Sequence, residues 1–151
     1  MARTPRIYLD ACALNRLTDK SVQHRITHEA AAVFRLLQLV RLGQFNWVAS
    51  SSVVAELNNN PDEIKRKDVL SLLKYASEIA RPSASAFRRG RSLHLLGYGV
   101  FDALHLAIAE ERKCDLLLTT DDRFLRKAKR NLGRPSVRVE NPLNYVKEIV
   151  P

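Results

Sequence analysis

The strongest constraint on this chain is an alternation. Short apolar runs suited to strands recur between longer segments whose apolar residues keep helical spacing, and few folds accept that order. Residues 6–10, RIYLD, read as a first strand that ends on an acid. A polar, basic stretch follows. From Thr27 to Leu42, the residues Ala30, Val33, Phe34, Leu37 and Val40 fall three and four apart, which predicts a helix, with Gly43 as its stop. FNWVAS (45–50) is the second strand, and the serines after it can cap a helix over Val53–Leu57. Asn60 as cap, Pro61 as first helical residue and Glu63 as the return partner predict a long helix reaching about Ile79. Two further helices cover about Ser85–Leu95 and Phe101–Arg112. CDLLLTT (114–120) is the third strand, Asp122–Arg130 a short basic helix, SVRVE (136–140) the fourth strand, and Asn141-Pro142 opens a last helix.

That order implies a parallel sheet with helices on both faces, a three-layer α/β/α architecture. No repeat, linker or low-complexity segment interrupts it, so one domain over residues 1–151 is expected. No apolar run approaches the roughly 20 residues of a membrane helix, and no signal-like stretch precedes the first strand. A cytoplasmic protein without a membrane partner is the expectation. The two cysteines, Cys12 and Cys114, stand in no metal-binding spacing and read as small apolar residues. The net charge of +9 favours a polyanionic partner, nucleic acid before membrane.

In open α/β sheets, ligands bind beyond the carboxyl ends of the strands. Asp10 closes the first strand, and Asp121, with Asp122 beside it, follows the third through Thr119-Thr120. Glu56 lies in the helix after the second strand, and Asp102 opens the apolar helix GVFDALHLAIAEE. Each has a structural reading as a cap, a dipole partner or a solvated acid. Together they can converge on one end of the sheet. Clustered carboxylates repel unless a cation joins them, and hard cations such as Mg2+ or Mn2+ take oxygen ligands.

At these residues the sequence resembles the PIN domain family, the fold of VapC-type toxin ribonucleases. IYLDACALNRL is similar to the family's opening strand with its first acid, Asp10. SSVVAELN matches the segment with the second, Glu56. YGVFDALHLAIAEERKCDLLLTTDDRFL holds the third, Asp102, and the fourth, Asp121. VENPLNYV resembles the closing strand and helix. The resemblance implies a metal-dependent endoribonuclease, often a homodimer, and for toxin members a cognate antitoxin that blocks the site. Asp122 doubles the acid at the last position, so Asp121, Asp122 or both are candidate ligands. Cys12 stands where relatives often carry a small hydroxyl residue.

The expected roles follow. Asp10, Asp102 and Asp121 contact the metal, and Glu56 does the same or orients the attacking water. Asn15 is a candidate for a phosphate or for Glu56. Arg16, the Arg88-Arg89-Arg91 group and Arg123-Arg126-Lys127 are candidates for the RNA backbone, with Arg88 and Arg91 sharing a helix face. His105 is read chiefly as a core residue, with a metal or phosphate contact as the alternative. Two rivals stand beside the nuclease. One is a PIN-fold module that binds RNA or protein without cutting. The other is a phosphatase of the haloacid-dehalogenase type, against which Cys12 counts, because those enzymes resemble DxD where this chain has Asp10-Ala11-Cys12.

Overall fold

A computed structural model describes residues 3–20 and 23–150. Five strands form one sheet: β1 (Arg6–Leu9), β2 (Asn46–Ser50), β3 (Glu78–Ala80), β4 (Leu116–Leu118) and β5 (Arg138–Glu140). All neighbours are parallel, in the order β3-β2-β1-β4-β5. The helices are α1 (Ala11–Asn15), α2 (His24–Arg41), α3 (Ser51–Asn58), α4 (Glu63–Ser71), α5 (Ala84–Leu96), α6 (Val100–Glu111), α7 (Asp122–Lys129) and α8 (Pro142–Ile149). Successive strand residues point to opposite faces, and Ile7, Tyr8 and Leu9 are all fully buried, as are Val48 and Ala49 and Leu117 and Leu118. Both faces of the sheet are therefore covered, which is what a parallel sheet requires. The expected three-layer α/β/α arrangement is the one found. Among the described residues no helix is long and apolar enough to cross a membrane.

Three local differences from the sequence reading have clear causes. The long helix expected to reach Ile79 ends at Ser71, passes through a 3-10 turn at Leu72–Tyr75, and gives way to β3. The free edge of β2 takes this segment instead: Ser77 N–H donates to Trp47 O at 2.8 Å, and Glu78 pairs with Val48. At the other end of α4 the cap is Asp62, not Asn60. The Asn60 side chain accepts from Asp62 N–H at 3.0 Å, a local turn that moves the helix start so that Asp62 accepts from Lys65 N–H at 3.1 Å. On α2, Val33, Leu37 and Val40 are buried as expected, but Phe34 is exposed and Leu36 is in the core. The buried stripe lies one position to the side of the Ala30–Phe34 row, and it begins with an acid, Glu29.

Candidate active site

The site follows from the sheet order. β1 is the strand from which the chain moves first to one side, through β2 and β3, and then to the other, through β4 and β5. Connections leave the carboxyl edge there in opposite directions and open a crevice. Asp10 sits at that edge, its N–H tied to Leu118 O at 3.2 Å. It also begins α1: Oδ1 accepts from Ala13 N–H at 2.8 Å, so the acid ends a strand and caps a helix at once. Glu56 lies on α3, which starts directly from β2. Asp102 lies in the first turn of α6, which runs back towards the start of β4. Asp121 caps α7, its Oδ1 accepting from Arg123 N–H at 2.9 Å and Phe124 N–H at 3.2 Å.

The charges at this edge are coupled. Burial raises Asp10 to about 7, the nearby Asp102 adds to the rise, and the Thr119 hydroxyl and the Ala13 N–H oppose it. The Thr119 hydroxyl lies close enough to favour the charged form but makes no well-formed hydrogen bond to Asp10, and Oδ2 is buried with no hydrogen-bond partner. Burial likewise lifts Asp102 to about 6, with Asp121 and Glu56 contributing, while Lys127 pulls it down. Partial desolvation, and then the charges of Asp10, Asp121, Glu56 and Asp102, push the Cys12 thiol up to about 12. One exposed side chain thus feels all four acids, which lie around it.

The donor set fits a hard divalent cation. It consists of carboxylates, one buried oxygen lacks any partner, and two of the acids hold their protons too tightly for isolated groups. Among the described residues, no three His, Cys, Asp or Glu side chains are drawn in closely enough to enclose a metal as they stand. A cavity of about 420 Å³ lies elsewhere, lined by residues that include Ser85, Arg89, Ala107, Glu110, Glu111 and Ser136. Its polar groups are engaged with one another or nearby, for example Arg89 with Glu110 at 2.9 Å.

Of the other residues expected at the site, Asp122, Arg16 and Lys127 are engaged in contacts of their own. Arg25 holds Asp122 through both guanidinium nitrogens at 2.6 Å each and keeps its carboxyl below the usual range. Arg16 pairs with Asp19 at 2.9 Å and with Glu29 at 3.0 Å. Asn15 closes α1 and is partly buried, while the partner of Glu56 is His105 rather than Asn15. Arg88, Arg91 and Arg123 are exposed and have no ion pair among the described residues. Lys127 donates to Gly97 O at 2.7 Å and its charge reaches Asp102.

Two features escape a reading of the sequence. Glu29 is 1 % exposed and binds Arg16, Arg25 and Asn141, the last at 2.6 Å, so it clamps α2 to the segment after α1 and to the start of α8. Its position in the apolar row of α2 was the available signal. The second is a buried polar line through Ser50, Tyr8, His105 and Glu56. Tyr8 and His105 come from β1 and α6, far in sequence from each other and from the Ser50–Glu56 segment that they join.

A family model described as PIN domain matches residues 7–130. No curated protein sequence matches the chain. Among solved structures, VapBC2 from Rickettsia felis, bound to a DNA fragment from its promoter, superposes with a TM-score of 0.61 at 17% identity, covering 90% of this chain and 98% of that one. Mycobacterium tuberculosis VapC20, a Sarcin-Ricin loop cleaving toxin, gives a TM-score of 0.58 at 13% identity, covering 78% and 92%. At such identities the likeness is one of fold.

Proposed function

The chain belongs to the PIN domain family, and from that premise we propose that it is a metal-dependent endoribonuclease, a single domain that hydrolyses RNA phosphodiester bonds at the carboxyl edge of its sheet. The observation that carries this reading is Asp10. A carboxylate buried at a sheet switch point, with one oxygen unpartnered and its proton held to about 7, is costly for stability alone. Its cost is relieved when a cation arrives.

Asp10, Asp102 and Asp121 are the residues that would hold Mg2+ or Mn2+. Asp121 offers Oδ2, because Oδ1 is used by the cap. When bound, the cation neutralises charge at the scissile phosphate and activates water for in-line attack. Glu56 joins the ligand set or orients that water. Asp122 is left to Arg25. Arg88, Arg91, Arg123 and Lys127 hold the RNA backbone, and Arg16 is left to its structural pairs.

The fold neighbours extend the reading. One is a VapBC2 assembly and the other is a Sarcin-Ricin loop cleaving toxin. On that analogy the chain acts in the cytoplasm as the toxin of a toxin–antitoxin pair, as a homodimer, with an antitoxin that covers the acids.

The test is cleavage of a mixed RNA pool with Mg2+ or Mn2+, with EDTA, and with Asp10→Asn. Cutting that needs the cation and disappears in the variant supports the proposal. RNA bound but left intact under every cation, with no cation binding by calorimetry, replaces it with a non-catalytic binding module.

A further inference from the structure

The line through Ser50, Tyr8, His105 and Glu56 has only one open end. Ser50 Oγ lies 2.6 Å from the Tyr8 hydroxyl, which lies 2.6 Å from His105 Nδ1. His105 Nε2 meets Glu56 Oε1. At the closed end, Ser50 caps α3 by accepting Val53 N–H at 3.1 Å. Ser50, Tyr8 and His105 are essentially without solvent contact. Phe101 stacks on the imidazole, with ring centroids 6.2 Å apart. The line starts at the cap of α3 and returns to the acid that α3 carries.

Counting protons fixes its direction. With a neutral imidazole protonated at Nε2, the Ser50 hydroxyl donates to Tyr8, the Tyr8 hydroxyl donates to Nδ1, and Nε2–H donates to the Glu56 carboxylate. Each of the three protons then has an acceptor. With the proton at Nδ1 instead, a bare nitrogen faces a carboxylate oxygen. With both nitrogens protonated, Tyr8 must turn its hydroxyl to Ser50, and the Ser50 proton has no acceptor in the line.

Apolar residues of the same volume would fill this part of the core without the desolvation cost of three polar side chains. Something other than packing accounts for them. We propose that Tyr8 and His105, anchored by Ser50, are positioning residues for Glu56: they fix its Oε1 on the protein side and leave Oε2 for the reaction. The catalytic part of this statement rests on the nuclease reading given above.

Two measurements test it separately. The first is nitrogen-15 NMR of the imidazole in metal-free wild type and Tyr8→Phe. The expected result is a neutral ring protonated at Nε2 in the wild type, and loss of that single tautomer in the variant. A ring protonated at Nδ1, or a wild-type ring indistinguishable from that of Tyr8→Phe, overturns the proposal. The second is cleavage at saturating Mn2+ by His105→Leu and His105→Gln. Glutamine can still present an N–H to Glu56, whereas leucine cannot. The expected loss in kcat is about 10- to 100-fold for leucine, with KM nearly unchanged, and most of it returns with glutamine. Equal losses in the two variants overturn the positioning role. If wild type cuts no RNA, the nuclease reading and the catalytic role fall together, and the NMR result shows whether the hydrogen-bonded line itself was read correctly.

Discussion

Arg25 takes both oxygens of Asp122 at 2.6 Å each, while the neighbouring Asp121 spends only Oδ1 on the cap of α7. Two adjacent acids in TTDDRF therefore have different work. Asp121→Asn keeps the cap, since asparagine caps as well as aspartate, yet cleavage should fall at least about 100-fold for loss of a ligand. Asp122→Asn should leave cleavage within about threefold and cost about 0.2–1 kcal/mol, because the lost pair is half exposed. Single-turnover cleavage and urea melts of the two variants check both halves.

Asp10 makes stability depend on pH in a particular sense. Its carboxyl titrates near 7 when folded, against 3.8 for the ordinary group. As pH rises from about 4 to about 7, the unfolded chain releases this proton and the folded chain keeps it, so stability falls across that window. Asp102, raised to about 6, adds a fall of the same sign that is complete near that pH. The metal-free protein should melt at a lower temperature at pH 8 than at pH 5. Asp10→Asn should remove much of the difference, with a ceiling of about 3 kcal/mol between these two pH values, because the first part of the shift is already lost by pH 5.

A cation reverses that trend by favouring the charged carboxylates. Mn2+ should raise the melting temperature of wild type more at pH 8 than at pH 5, since at pH 5 it must displace protons from Asp10 and Asp102. EDTA should undo the gain. Calorimetric thermal scans with Asp10→Asn as the control decide the point: an equal Mn2+ gain in that variant would remove Asp10 from the ligand set.

Glu29 is a stability residue. Its removal leaves the guanidinium of Arg16 and the amide of Asn141 without their buried partner. Glu29→Ala should cost about 1–3 kcal/mol, the range for a buried polar group left without its partner, since Arg16 keeps Asp19 and Arg25 keeps Asp122. Equilibrium urea unfolding measures it.

If α5 carries the RNA backbone as proposed, its exposed arginines should set the salt dependence of binding. In catalytically silent Asp10→Asn, single-stranded RNA binding should weaken with added salt. Replacing Arg88 and Arg91 by alanine should reduce the slope of log K against log salt by about 0.7 for each phosphate that the protein no longer neutralises. An unchanged slope would place the RNA path away from α5.

Four of the five strands are legible in the sequence because each is a local apolar run, and Asp10 and Asp121 stand out as acids that follow such runs. β3 is not, since Glu78–Ala80 has no apolar alternation and becomes a strand only because β2 offers an open edge. Asp121 and Asp122 look alike until α2 brings Arg25 to one of them. Tyr8 and His105 read as core residues, and they are buried in the core; what spacing cannot show is that Tyr8 meets Ser50 and His105 meets Glu56. Glu29 shares the row of the buried stripe, and a phase one position off along α2 hides it.

The strand order has a consequence for how the molecule comes into being. β1 is made first, yet its partner β4, pairing Ile7 with Leu116, is among the last strands to leave the ribosome. Asp121 comes later still. More than a hundred residues separate Asp10 from Asp121, so the two acids can meet only once a long loop has closed, the kind of contact that is intrinsically slow to form. The charge cluster is therefore a property of the finished chain, and a partly synthesised copy carries its first acid with none of the later ones to complete the site.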